Sequence, residues 1–264
     1  MRPSGEFNGL PNSFLKGAPT SLALVTCPPA LPNTHYDAKY FEWQSEIGRF
    51  GGWANLTKFS QYASPEMNVL DFGCGGGYLL ANIACRAKIG IEVNPVARAE
   101  AKRRGVPVVA STAEVEDNWA DLIISNHAIE HCAEPLRELR ALLRKLVPGG
   151  VVVFVVPCEA IKCRYRPNDR NHHLYSWSPM SLANLFAEAG FVVVESKAYR
   201  HVWPPRFLPG LLRSIGGRWL FDIGCNIYGA LTYLNLTPCA VSQIRLVGKR
   251  SGICDRDVST LTLF

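Results

Sequence analysis

What this sequence lacks narrows it first. None of its nine cysteines stands in a C-x-x-C pair, so neither a disulfide scaffold nor a structural zinc site is expected. Scattered thiols in odd number point instead to a reducing compartment. No stretch reaches the roughly 18 consecutive uncharged apolar residues of a membrane-crossing helix. The N-terminus has no apolar run behind a basic start, so no signal peptide is expected and a cytoplasmic location follows. No basic run exceeds Lys102-Arg103-Arg104, at a predicted helix C-terminus where cations suit the negative end of the helix dipole. A net charge of +6 over 264 residues suits an anionic substrate or a membrane surface. It is too weak to argue for a nucleic-acid partner.

What is present reads as one globular α/β domain with extensions. Hydrophobic residues make up 48% of the chain and charged ones 19%, enough for a sizeable core. Residues 1–35 are rich in Pro, Gly, Asn and Ser and read as a flexible leader to a domain over 36–264. Aromatics cluster from Tyr36 to Tyr62, on two predicted helices, Ala38–Phe50 and Gly52–Ser60. Strands and helices then alternate as in a doubly wound sheet. Strands are expected at Val69–Phe72, Ile89–Val93, Val106–Ala110, Leu122–Ser125, Val151–Val156, Phe191–Glu195 and Val241–Val247. Helices are expected at Tyr78–Arg86, Pro95–Arg104, Glu134–Leu146 and Pro179–Ala189. Residues 197–239 are extra to this core, apolar with interspersed arginines. They read as a helical insertion that packs on the sheet edge, or as a lid or peripheral membrane contact through 203–235.

The organising stretch is Asn68-Val-Leu-Asp-Phe-Gly-Cys-Gly-Gly-Gly-Tyr78, followed by a strand ending in Glu92. An apolar run leads into glycines at 73, 75, 76 and 77, which turn the backbone sharply and leave room for a ligand against it. Glu92 stands about 20 residues after the first glycine, where a carboxylate takes ribose hydroxyls. A nucleoside-bearing cofactor is implied. The dinucleotide fingerprint needs a small residue where Tyr78 stands, so a nicotinamide-dependent oxidoreductase is disfavoured.

The spacing Asp71-x-Gly73-x-Gly75-x-Gly77 resembles motif I of the class I S-adenosylmethionine methyltransferases. Besides motif I the resemblance rests on Asp121-Leu-Ile-Ile-Ser-Asn-His-Ala-Ile-Glu-His-Cys, Leu146-Val-Pro-Gly-Gly and His173-Leu-Tyr-Ser-Trp-Ser, in that order. The set is similar to small-molecule methyltransferases related to the ubiquinone-pathway O-methyltransferases. The resemblance implies a Rossmann-like seven-stranded sheet with an antiparallel last strand, an N-terminal helical cap over 36–62 and S-adenosylmethionine as cofactor. It implies that Asp71, Gly73, Cys74, Gly75 and Gly77 hold the amino-acid part of the cofactor. Glu92 and Val93 would take the ribose, with Asn94 beside them. Thr112 and Ala113 would line the adenine, Thr112 where many relatives carry Asp. Asn126 would face the methionine part and the acceptor.

His127-Ala-Ile-Glu130-His131 is the sharpest secondary signal. Read literally it is the H-x-x-E-H pattern of an inverted zinc protease, which requires a long helix that is not expected here. Ubiquinone-pathway enzymes carry Glu-x-x-Glu-His at this place, which can hold magnesium. His127 in place of the first acid weakens a hard-cation site, so no metal is assigned. His127, His131 and His173 are the catalytic candidates, as general base or acceptor contact, beside a purely structural role. Tyr36, Tyr40 and Trp43 are pocket candidates. Arg164, Arg166 and Arg170 either grip an anionic substrate group or form a solvated loop, and His172 is a further candidate to reach the reacting group. Pro157-Cys158 alone is a weak match to RNA cytosine methyltransferases, and Asn126-His-Ala-Ile does not match the amino-nitrogen type. The expected function is methyl transfer to a small-molecule, glycan or lipid-linked acceptor, by elimination at oxygen. The alternative is a non-catalytic binding module that keeps the cofactor fold.

Overall fold

The computed structural model describes residues 38–159, 164–165, 169, 171–201, 208–234 and 242–252. These belong to one compact unit, His35–Phe264. Tyr36, Arg166, Arg170 and the leader lie outside the described residues, as do the side chains of Tyr40 and Trp43.

Seven strands form one sheet in the order β3-β2-β1-β4-β5-β7-β6. They are β1 (Asn68–Phe72), β2 (Ala87–Ile91), β3 (Val108–Val109), β4 (Ala120–Asn126), β5 (Leu146–Cys158), β6 (Val192–Arg200) and β7 (Ser242–Lys249). Strands β1 to β5 pair in parallel, and β7 runs antiparallel between β5 and β6, as expected. The helices are α1 (Ala38–Ala54), α2 (Pro95–Arg103), α3 (Pro135–Lys145), α4 (Pro179–Glu188) and α5 (Leu208–Leu234).

The central strands bury both faces, which is why they read as continuous apolar runs. Alternate residues feed two cores. Leu70, Phe72, Ile123, Val152 and Phe154 pack with Leu139 and Leu142 of α3 and with Leu182 and Phe186 of α4. Val69, Leu122, Ile124, Val153 and Val155 pack with Phe59, Leu79, Leu80 and Ala101 on the other face. A third cluster joins α5 to α1 through Phe221, Cys225, Ala54, Phe50 and Trp53.

Several expectations are corrected. The two N-terminal helices are one, α1, which runs through Gly51-Gly52 before a 3₁₀ turn at Asn55–Lys58. Gly48 and Gly52 are close-approach positions on one helix face: a Cβ at either would overlap Tyr78, its ring at Gly48 and its backbone at Gly52. The helix expected over Tyr78–Arg86 is only the 3₁₀ turn Leu80–Asn82. Asn82 Nδ2 donates to the Tyr78 carbonyl at 2.7 Å, and Lys88 Nζ donates to the carbonyls of Leu80 and Ile83 at 3.0 and 2.8 Å. Side chains thus take the carbonyls that a helix would use. Strand β2 starts two residues early and ends before Glu92, because Asn94 caps α2 by accepting from the Val96 and Ala97 amides at 2.9 and 3.4 Å. Residues 197–200, assigned to the insertion, extend β6. Among the described residues no helix is long and apolar enough to cross a membrane.

Candidate active site

The parallel strands deliver their loops to one edge of the sheet, where such folds bind ligands. After β1 the chain turns through Gly73, Gly75 and Gly77, at φ values of 74°, 54° and 71°, a region that side-chain-bearing residues seldom enter. The Gly73 and Cys74 amides donate to the Ile91 carbonyl at 2.9 and 3.1 Å, which ties this turn to β2. Glu92, just past β2, accepts from the Gly75 amide at 2.9 Å and from the Asn94 amide at 2.8 Å. Burial pushes its carboxyl up, and the amides oppose the change. Asp71 is buried on β1, and burial, then the Glu92 charge, push it up to about 8.

A cavity of about 190 Å³ lies over this turn. It is lined by Asp71, Gly73–Gly76, Tyr78 and Leu79, by Asn126 and His127 from the end of β4, and by Gly48, Gly51, Gly52 and Asn55 from α1 and its end. Helix α1 therefore roofs it. Asp71, Gly73, Cys74, Gly75, Asn126 and His127, expected from the sequence, meet here. Gly77 packs instead against Ala101 and Val106, and Glu92 braces the turn from β2. Val93 is 70% exposed, and its carbonyl accepts from Arg98. Thr112 is buried and donates to Glu138 Oε2 at 3.0 Å. With Ala113 it lines a second cavity, of about 890 Å³, beside α3. The two cavities share no lining residue.

Asn126 brings in a residue that sequence reasoning missed. Its Oδ1 accepts from Lys58 Nζ at 2.9 Å. Lys58 is only 2% exposed, and burial drags its ammonium from 10.5 down to about 7. His201 lies near the same cation and is lowered to about 3, chiefly by burial.

His127 holds a left-handed backbone, φ 59°, while its amide donates to the Val155 carbonyl at 2.8 Å and extends the β4–β5 pairing. Burial, then the Lys58 charge, hold its imidazole well below the ordinary range. The ring is therefore neutral at neutral pH. Its Nδ1 is 3.6 Å from Glu130 Oε1. Glu130 is fully buried, neither carboxylate oxygen has a hydrogen-bond partner among the described residues, and burial pushes it up to about 8.

His131 Nε2 lies 3.9 Å from the same oxygen, and the His131 and His173 rings are 5.0 Å apart. Ligand atoms of Glu130, His131 and His173 all lie within 4.8 Å of one another, a spacing on which one cation can converge. The two nitrogens would favour a borderline metal over magnesium. His173 Nδ1 also lies 2.8 Å from Glu159 Oε1. Among the described residues His127 precedes a single 3₁₀ turn, Ile129–His131, so the two histidines do not share a helix face as a zinc protease needs. Arg164 is exposed, and His172 is also exposed, its amide donating to Asp169 Oδ2 at 3.0 Å.

Comparison with known proteins agrees with this geometry. A family model described as "Methyltransferase domain" matches residues 43–196, more than half of the chain. The ubiquinone biosynthesis O-methyltransferase of Roseobacter denitrificans is 26% identical over 168 residues, 52% of this chain and 66% of that protein. That of Sodalis glossinidius is 36% identical over 99 residues, 33% of this chain and 40% of that protein. An uncharacterized methyltransferase of Mycobacterium tuberculosis is 32% identical over 130 residues, 44% of this chain and 61% of that protein. The chain thus spans less than two thirds of each of these relatives. Among solved structures, a Thermotoga maritima S-adenosylmethionine-dependent methyltransferase, described as a possible histamine N-methyltransferase, superposes with TM-score 0.56 at 17% identity, covering 82% of this chain and 97% of that one. The Haemonchus contortus phosphoethanolamine N-methyltransferase 2 bound to S-adenosylmethionine gives 0.56 at 16%, covering 83% and 58%. Such identities establish the shared fold. By its family match, its sheet order and its glycine turn, the chain belongs to the methyltransferase-domain family of class I S-adenosylmethionine-dependent enzymes.

Proposed function

We propose that this chain transfers a methyl group from S-adenosylmethionine to an oxygen of a small-molecule, glycan or lipid-linked acceptor. The observation that carries the reading is a single cavity bordered by the glycine turn, Asp71, Asn126 and His127. The residues present suit the cofactor. Its sulfonium and ammonium are cationic, and two acids stand at the turn, Asp71 and Glu92, both pushed upward by burial. The turn offers backbone rather than side chains where the ligand must approach closely. When bound, S-adenosylmethionine supplies an electrophilic methyl group.

The chain's own residues do the rest. Asp71 and the Gly73–Gly76 backbone hold the amino-acid end, and Glu92 is the ribose carboxylate. Asn126, fixed by Lys58, orients the acceptor beside them, and the α1 roof excludes water. His127 takes the acceptor's proton. Its Nδ1 faces Glu130, which leaves Nε2 for the hydroxyl. The imidazole is neutral and so open to a proton, and burial with the Lys58 charge beside it makes it a weak base that acts as the hydroxyl's positive charge develops. His131 and His173 support Glu130 from behind. The ubiquinone O-methyltransferase names among the sequence relatives support an oxygen acceptor.

A His127→Gln variant tests the assignment. Its affinity for S-adenosylhomocysteine should match wild type, while transfer to hydroxylated acceptors should fall by about 10²–10⁴. Methylation of amines but not hydroxyls by the wild-type protein would overturn the oxygen reading.

A further inference from the structure

Helix α5 carries an apolar row turned to solvent. It bends at Gly217, φ 60°, and on both sides of the bend large apolar residues recur every fourth position. Leu211, Ile215 and Trp219 are 53%, 71% and 71% exposed, and Ile227 and Leu231 are 57% and 54% exposed. Ile223 continues the row, half-buried. Residues four apart lie on one helix face, so Leu211 and Ile215 share a face before the bend, and Trp219, Ile223, Ile227 and Leu231 form a row after it. The opposite face holds Phe221 and Cys225, which pack on Ala54, Phe50 and Trp53. So α5 is apolar inward, as packing requires, and apolar outward as well, where a helix facing only water carries polar residues.

The sequence around this helix is one-sided in charge. From Tyr199 to Cys239 the sequence has four arginines, Arg200, Arg206, Arg213 and Arg218, against one acid, Asp222. Asp222 accepts from Arg218 at 3.4 Å. The Arg218 guanidinium also donates to the Trp53 and Ala54 carbonyls. The segment thus carries a net excess of three positive charges in its sequence. Apolar side chains including a tryptophan, with arginines and almost no acids, are what an anionic lipid interface recognises.

We propose that this face of α5 seats the protein on an anionic membrane surface. The inference deepens the proposed function by favouring a lipid-linked acceptor. Helix α5 packs on α1, which roofs the cavity, so a lipid surface at the outer face of α5 lies one helix away from that roof.

Vesicle cosedimentation of the full chain tests it. The protein should bind phosphatidylcholine vesicles doped with phosphatidylglycerol, and bind pure phosphatidylcholine at least tenfold more weakly. Raised salt should weaken binding to the doped vesicles. An Ile227→Glu/Leu231→Glu variant, and Leu231→Glu alone, should lose tenfold or more while keeping wild-type affinity for S-adenosylhomocysteine in calorimetry. Failure of the wild type to bind doped vesicles would overturn the inference, as would undiminished binding by the variants. A concentration-dependent dimer that the double variant abolishes would assign the face to a second copy instead. Vesicle binding is read without methyl transfer and cofactor affinity without lipid, so this inference and the proposed function can fail separately.

Discussion

Lys58→Met should give a protein that is more stable at neutral pH and less active. The wild-type ammonium is buried, donating among the described residues to Asn126 Oδ1, and its folded value is about 7 against 10.5 in the unfolded chain. The depressed value means that the folded state is at its best above pH 10.5, where both states hold a neutral amine. Stability is lost as pH falls toward 7, because the unfolded chain takes up the proton first. At about 1.4 kcal/mol per pH unit, the interval from 10.5 to 7 corresponds to a penalty of about 5 kcal/mol, as an upper figure. Methionine has similar length and no charge, so the variant escapes that penalty and gives up one hydrogen bond of about 1 kcal/mol. A net gain of about 2–4 kcal/mol near pH 7 would raise the melting temperature by roughly 5–10 °C for a domain of this size. Thermal unfolding of both proteins from pH 6.5 to 10 reads this directly. The advantage should shrink as pH rises. A variant that melts lower at pH 7, or a difference independent of pH, would refute the claim that Lys58 is a desolvated cation. Asn126 loses its anchor in the same variant, so methyl transfer should fall even as stability rises, a trade expected where a strained group serves a site.

Further outcomes follow from the roof and the turn. Gly52→Val should destabilise the fold by about 1–3 kcal/mol, since its side chain meets the Tyr78 backbone. Chemical denaturation measures this, and a midpoint equal to wild type would sink the close-packed roof. Gly75→Arg places a side chain on a residue at φ 54° that lines the cavity. S-adenosylhomocysteine binding by that variant should disappear in calorimetry while circular dichroism keeps the wild-type spectrum. Glu92→Gln removes the charge that Gly75 and Asn94 hold, and cofactor affinity should fall by about tenfold, in line with a lost charge-assisted bond of about 1.5 kcal/mol or more. Equal affinity would remove Glu92 from the ribose site.

How much of this was legible depended on how local each determinant is. The sheet was readable because strands buried on both faces must be apolar throughout, as in Val151–Val156. The glycine turn was readable because only glycine settles comfortably at three positive φ values so closely spaced. Asn126 and His127 followed from their place at a strand end. The helix over Tyr78–Arg86 was misread because Asn82 and Lys88 cap its carbonyls, a contest that propensity does not register. Gly51-Gly52 looked like a joint between helices and is part of the cavity roof, since its partner Tyr78 lies far along the chain. Lys58 gave no signal, because its hydrogen-bond partner stands 68 residues away and its surroundings are fixed only by the fold. Thr112 is expected near the adenine only from the family pattern, and its bond to Glu138 joins residues 26 apart that no local signal connects.

Titration of S-adenosylhomocysteine and of NAD into the wild-type protein bears most directly on the central claim, that the glycine turn under α1 is a methyl-donor site. The account predicts saturable one-to-one binding of S-adenosylhomocysteine, abolished by Gly75→Arg, and no binding of NAD. Binding of NAD alone, or S-adenosylhomocysteine affinity unchanged by Gly75→Arg, would contradict it.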